Sequence, residues 1–236
     1  MTVQDKTYLE QIDKYYKKEL KSYLTIELGI TPDILTQFGA SKLPLVMLQS
    51  TLTKCTRKVT GSRSAHELPQ NIIETLPEQI KNPIFIIQER ARKSIAVISN
   101  ATDKNGNKIL IAIRLNSTQG RNQINEVKSI YGKTNLKEYL QKHIDEGQLS
   151  IADSKKAEIL SRVIGLQLPK ALINSSYDKR IAPQSRKVNK ERTQIPAFQE
   201  KNKPSVHKKL ENFQKELNQN SRKEPKPAQK TETIRT

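Results

Sequence analysis

Cysteine, tryptophan and long hydrophobic runs are scarce or missing in this chain of 236 residues. The one cysteine, Cys55, cannot form an internal disulfide, and a zinc cage built from several cysteines is excluded. No apolar run approaches the roughly 20 residues that span a bilayer, and the first residues lack the apolar core of a signal peptide. These absences predict a cytoplasmic protein that does not bind a membrane.

Sequence motifs for common cofactors and nucleophiles are also missing. The chain has no HExxH pair, no GxGxxG or GxxxxGK[ST] loop and no GxSxG elbow. Their absence argues against zinc hydrolysis, nucleotide binding at a P-loop and acyl transfer from a serine. The three histidines, His66, His143 and His207, are spread without the spacing of metal ligands. We therefore expect neither a metal nor a cofactor.

Charge is the property that the chain has in excess. Its 42 lysines and arginines against 24 acidic residues give a formal net charge of +18. A surface this basic attracts polyanions, so RNA or DNA is the expected partner, although surplus lysine also serves solubility alone. Aromatic residues make up 5% of the chain, which argues against a platform for base stacking.

The N-terminal part of the chain is predicted to be helical. Apolar residues recur at helical spacing over 8–28, and Gly29 is expected to end that helix. Thr31 and Pro32 then provide an N-cap and a first-turn proline for a short helix that runs to Phe38. We therefore expect two helices before the sheet begins.

The middle of the chain is rich in isoleucine and valine and predicts an antiparallel sheet. Asn105 and Gly106 form a strong hairpin signal between two of its strands. Residues of the third strand alternate between two faces, and Arg114 falls on the less apolar face. The four predicted strands span 84–88, 94–100, 108–116 and 123–131. Further helices are predicted over 71–81, 136–146 and 151–164.

These elements predict an α+β fold, with N-terminal helices, a four-stranded antiparallel sheet that has helices on one face, and a disordered basic C-terminal tail. The domain is expected to occupy residues 1–174 and the tail residues 175–236. In the tail, basic residues outnumber acidic ones by more than two to one, with little apolar clustering. An apolar stripe from Val206 to Leu217 indicates a short helix over 205–219, stable or transient.

His66 has the sequence context best suited to phosphate chemistry. Imidazole takes and gives protons near neutral pH, and His66 lies in a polar loop close to several basic residues. The same context also fits a solvated loop histidine without a catalytic role. His143 is expected on the surface of a helix, and His207 lies in the tail. The basic residues that would bind substrate beside His66 are Arg57, Lys58 and Arg63.

Seven short motifs follow one another along the chain. In order they are TPDILTQFG, LPLVMLQSTLTK, SAHELP, LPEQIKNPI, DKNGNKILIAI, SIYGKTN and GLQLP. Each motif alone is weak, but their number and order over roughly residues 25–174 resemble the phage MuF C-terminal domain family. That family is associated with compact ribonucleases of the barnase, EndoU and RelE-like kind, which are found in phage and conjugative-element proteins.

The resemblance implies metal-independent cleavage of RNA, in which the ribose 2′-hydroxyl attacks the neighbouring phosphate. His66 would be the acid or base, and Lys54 and Lys133 would stabilise the charged phosphorane. Ser129 and Tyr131 would bind phosphate or assist proton transfer. An immunity or antitoxin protein, or machinery of the mobile element, would be a partner.

Functions from different classes remain open. One is a toxin-like endoribonuclease effector, in which Arg114 would bind substrate if its face lines the cleft. The alternative is a catalytically inactive nucleic-acid-binding accessory protein of a phage or conjugative element; a third places the function in the tail, as a tether to a secretion complex. The enzyme requires His66, Lys54 and the SIYGK segment to meet in one cleft, whereas the binding protein requires only a continuous basic surface.

Overall fold

The computed structural model describes residues 3–21, 24–58 and 65–177. Within these ranges, a mixed sheet of seven strands carries helices on both of its faces. The strands are β1 Thr25–Ile30, β2 Pro44–Leu48, β3 Phe85–Glu89, β4 Ser94–Thr102, β5 Lys108–Gln119, β6 Asn122–Gly132 and β7 Leu149–Ile151. The helices are α1 Val3–Tyr16, α2 Asp33–Thr36, α3 Gln49–Thr56, α4 Gln70–Glu74, α5 Leu76–Lys81, α6 Leu136–Asp145, α7 Ser154–Ile164 and α8 Lys170–Asn174.

The strands lie in the order β1-β2-β6-β5-β4-β3-β7. Strand β2 runs parallel to β6, and each other neighbouring pair is antiparallel. The four predicted strands correspond to β3 to β6 and are antiparallel to one another. The prediction of a four-stranded antiparallel sheet was nevertheless wrong, because β1, β2 and β7 extend the sheet and the β2–β6 pair makes it mixed.

The predicted helix over 8–28 was also wrong in its second half. Helix α1 ends at Tyr16, and Thr25–Ile30 forms strand β1. The side chains of Ile26 and Leu28 are buried while Glu27 between them is exposed, which is the two-residue period of a strand. Gly29 does not end a helix; it lies in the left-handed region, with φ of 96°, at an irregularity in the pairing of β1 with β2.

The other predicted helices differ from the structure mainly at their ends. The helix over 71–81 is divided into α4 and α5 at Thr75, whose ψ of 6° departs from helical geometry. Helix α7 begins at Ser154 because the side chain of Asp153 caps it by accepting a hydrogen bond from the backbone of Lys156. Ile151, predicted as the start of that helix, ends strand β7.

Each face of the sheet is covered by a separate hydrophobic core, so the prediction of helices on one face was wrong. Strand β5 contributes to both, because Ile111 belongs to the first core and Leu110 to the second. The first core includes residues of α1 to α5, and the second includes residues of α6 and α7 with α8 packed against it. We call the two surfaces the first face and the second face.

His143 is buried with 5% exposure, so its predicted surface position was wrong. Its Nδ1 lies 2.8 Å from Oε1 of Gln148, and its ring meets the Tyr139 ring edge-on at 4.6 Å. The predicted tail from 178 onward, including His207 and the helix over 205–219, lies outside the described residues. None of the helices in the described ranges is long and apolar enough to cross a membrane.

Candidate active site

The second face has a shallow row of small side chains near the end of β6. Ser129 on β6 lies opposite Ala112 on β5, which lies opposite Ala96 on β4. Residues paired in this way point to the same face of a sheet. Tyr131 is two residues beyond Ser129 and points the same way, so its ring stands at the side of this row. Ala96 is buried in the second core, and Ala112 and Tyr131 are partly buried against it, so the row adjoins that core.

Backbone hydrogen bonds bring His66 to this row. After α3 the chain returns along the end of that helix, and the backbone N–H groups of His66 and Leu68 donate to the carbonyls of Lys54 and Cys55 at 3.1 and 2.8 Å. Leu68 and Cys55 are both buried in the first core, which anchors the returning segment. The position of His66 is therefore held by its buried neighbours, because the histidine itself is only partly buried.

The His66 side chain lies against two residues of the SIYGK segment. Its Nε2 is 3.5 Å from the Ser129 hydroxyl oxygen, which is the outer limit of a hydrogen bond. Its ring centre is 5.3 Å from that of Tyr131, with the ring planes inclined by 32°. His66 thus meets Ser129 and Tyr131, two predicted site residues that lie more than 60 positions further along the sequence.

The protonation states at this cluster are set by burial and by charge. Burial lowers the pKa of His66 below its ordinary value, and the nearby ammonium of Lys54 lowers it further. Burial also raises the pKa of Tyr131, with a smaller contribution from Glu89. At neutral pH His66 is therefore predominantly a neutral imidazole that accepts a proton, and Tyr131 keeps its hydroxyl proton.

The two predicted lysines lie on different sides of the cluster. Lys54 is in the last turn of α3, where its carbonyl holds the His66 backbone and its charge acts on the His66 ring. Lys133 lies just past β6, and its Nζ is 4.4 Å from the centre of the Tyr139 ring, a cation–π contact. The structure places Lys133 beside Tyr139 rather than in direct contact with His66.

The predicted substrate-binding residues are more dispersed. Arg57 is partly buried at the end of α3, and its carbonyl accepts a hydrogen bond from the backbone of Glu67 at 3.2 Å. Lys58 is exposed and adjoins the undescribed segment, and Arg63 lies outside the described residues. Arg114 is exposed on β5, two positions from Ala112 and therefore on the same face as the row.

Three polar residues near the cluster were not predicted. Glu89, at the end of β3, accepts a hydrogen bond from the Ser94 hydroxyl at 3.0 Å and lies 3.7 Å from Arg92. Tyr139 on α6 has a raised pKa, because it is buried and because Glu89 and Tyr131 are near. Only the register of β3, β4 and β5 brings Glu89 and Arg92 to this face, and no local sequence pattern carries that information.

In the described part of the chain, no group of three histidine, cysteine or acidic residues is arranged to hold a metal ion. Two hollows in the described part of the structure lie away from the cluster. One of about 670 Å³ is lined by Asp33, Lys81 and Asp153, and another of about 680 Å³ lies between β1 and the start of β6. Neither contains His66 or its neighbours, so the chemistry-bearing residues belong to an open surface.

The described residues thus form an α+β domain in which a histidine, a serine and a tyrosine meet on the second face of a mixed sheet. The family model described as the phage MuF-C-terminal domain matches residues 57–159. This segment runs from the end of α3 to the middle of α7 and contains His66, Ser129, Tyr131 and Lys133, whereas Lys54 lies just before it. The chain is therefore similar to a phage domain family over the part that carries the candidate site. Comparison with curated proteins finds no match, and comparison with solved structures finds none either.

Proposed function

We propose that the domain is a metal-independent endoribonuclease of a phage or other mobile element. The observation that supports this most directly is the contact of a neutral His66 with Ser129 and Tyr131 on a face that also carries lysines. A neutral imidazole is a base, the two hydroxyls are donors, and the ammonium groups offset negative charge. These are the groups that transfer of a phosphoryl group within RNA requires.

In the proposed reaction, His66 Nε2 takes the proton of the ribose 2′-hydroxyl as its oxygen attacks the adjacent phosphorus. The bond from phosphorus to the 5′-oxygen then breaks, and that oxygen takes a proton from the Tyr131 hydroxyl or from water. The Ser129 hydroxyl leaves its long contact with Nε2 to donate to a phosphate oxygen, and Lys54 stabilises the charge that grows on the phosphate. The products carry a 2′,3′-cyclic phosphate and a 5′-hydroxyl.

The second candidate function is nucleic-acid binding without cleavage. It is favoured by the net charge of +18, which suffices for binding to any polyanion, and by the 3.5 Å distance between His66 and Ser129, which is long for a working hydrogen bond. Catalytic hydrogen bonds often tighten when substrate binds, so this distance is compatible with either function.

The test is cleavage of labelled RNA in EDTA by the purified full chain. Wild type is expected to yield fragments that end in a 2′,3′-cyclic phosphate, and a substrate with a 2′-deoxyribose at the cleaved position is expected to stay intact. His66→Ala is expected to abolish cleavage, and His207→Ala, a histidine outside the matched segment, serves as the control. Salt-sensitive binding without cleavage by wild type would support the second candidate instead.

A further inference from the structure

A second basic feature lies on the same face, one row further along β5. Ser94 and Glu126 flank Arg114 in register on the neighbouring strands. The turn between β3 and β4 contributes Arg92 and Lys93 beside them. Arg92, Lys93, Arg114 and Glu126 border a groove of about 370 Å³ that is also lined by Ser117. We call it the Arg92–Arg114 groove.

The charges around this groove leave it positive. Arg92, Lys93 and Arg114 are all exposed, and Lys93 and Arg114 form no ion pair with any described residue. Glu126 is the acidic residue at the groove, and its carboxylate is bound by Lys128 at 2.9 Å, which offsets its charge. An anion that enters the groove therefore meets the unpaired charges of Lys93 and Arg114, and also Arg92, whose charge is shared with Glu89 at 3.7 Å.

The groove is also preorganised. Lys93 has a left-handed backbone, with φ of 49°, and its carbonyl accepts a hydrogen bond from the backbone of Leu115 at 2.8 Å, which ties the turn to β5. The groove therefore has a fixed backbone, which carries the exposed side chains of Lys93 and Arg114.

We propose that the Arg92–Arg114 groove is a subsite for a backbone phosphate of single-stranded RNA, next to the phosphate that is cleaved at His66. This inference rests on the proposed function, whose substrate it specifies. Arg114 is two residues along β5 from Ala112, about 7 Å, and Ala112 lies one strand away from Ser129. A strand laid across the row of small side chains therefore brings a flanking phosphate to the groove.

The side chains at the groove suit a phosphate. Guanidinium groups bind phosphate oxygens through paired N–H donors, and Arg92 in the turn and Arg114 on β5 present two such groups. Contacts of this kind position a strand without reading its bases.

The first experiment measures binding of a labelled 2′-O-methyl RNA oligonucleotide, which cannot be cleaved, as a function of salt concentration. Arg92→Gln/Arg114→Gln is compared with Lys155→Gln/Lys170→Gln, which removes the same charge from exposed positions on α7 and α8. The groove variant is expected to reduce the slope of log K against log salt by about 0.7, because the groove holds one phosphate and each phosphate contact on a single strand contributes about 0.7. Equal slopes for the two double variants would overturn the proposal.

The second experiment separates this proposal from the function on which it rests. If wild type cleaves RNA, the groove variant is expected to lose the preference for longer oligonucleotides over dinucleotides, whereas Lys155→Gln/Lys170→Gln keeps it. If wild type does not cleave but the groove variant still shows the smaller slope, the endoribonuclease is wrong and the phosphate subsite stands. Cleavage with an unaltered length preference and slope supports the endoribonuclease and rejects the subsite.

Discussion

The two faces of the sheet are built from the same strands but have different side chains and different tasks. On β5, Ile109, Ile111 and Ile113 fill the first core, whereas Leu110 and Ala112 on the second face are followed by the exposed Arg114. The row of small side chains lies at the edge of the second core, because Ala96 is buried in that core and Ala112 and Tyr131 pack against it. Along β5 the second face thus passes from apolar packing to an exposed, charged side chain, whereas the first face stays apolar.

The largest effect on activity is expected for a change on the second face, His66→Ala, which removes the proposed base. The expected loss in kcat/KM is about 10²- to 10⁴-fold, the usual contribution of a positioned acid or base. Because His66 is only partly buried, the free energy of unfolding is expected to change little. Initial rates and urea unfolding on the same samples check both statements. A variant that retained wild-type rates would remove His66 from the mechanism.

Ile111→Ala is expected to lower stability, because this residue is fully buried in the first core. The expected loss in free energy of unfolding is about 2 to 5 kcal/mol. The next residue, Ala112, points to the second face, and Ala112→Ser is expected to cost less than about 1 kcal/mol. Urea unfolding monitored by circular dichroism measures both. Similar losses for the two variants would show that the faces do not differ in packing as described.

Tyr131→Phe sharpens the comparison within the second face. The ring and its packing against His66 remain, and the hydroxyl is lost. We expect kcat to fall roughly 3- to 10-fold with KM nearly unchanged, the range expected for one hydrogen bond. Tyr177→Phe is the control, because its hydroxyl accepts a hydrogen bond from the side chain of Gln37 and contacts no residue of the cluster. A fall in kcat of the same size in the control would point to a general loss of stability.

The smallest expected effect concerns pH. If His66 acts as a base, kcat/KM falls as pH drops through the His66 pKa, which burial and Lys54 both hold below 6.5. In Lys54→Met the midpoint of this acidic limb is expected to move upward yet remain below 6.5, because burial is the larger cause. Profiles between about pH 4 and pH 8 measure the midpoint, with Lys42→Met as an exposed control. A downward move would contradict the described role of Lys54.

Local sequence patterns predicted the elements that depend on local interactions. Strands β3 to β6 and helix α6 follow from β-branched runs, a hairpin signal and helical periodicity. Strand β1 was missed because a strand at the edge of a sheet forms only by pairing with β2, a contact that periodicity does not report. The parallel contact between β2 and β6 joins residues about 80 positions apart and was equally invisible.

The residues of the candidate site were also predicted only in part. His66 and the SIYGK segment were selected through resemblance to a family, and the structure brings His66, Ser129 and Tyr131 together. Their catalytic roles stay predictions. Glu89 and Arg92 were missed because their place beside the cluster depends on the register of three strands. Residues that meet through a sheet can be identified from the sequence only when the pairing is already known.

Backbone hydrogen bonds from His66 to Lys54 and from Glu67 to Arg57 fix both positions between which the chain leaves and returns. When two points of a chain are held together, each doubling of the length between them costs only about 0.6 kcal/mol of closure entropy. Insertions between residues 58 and 65 are therefore expected to leave His66 where it is.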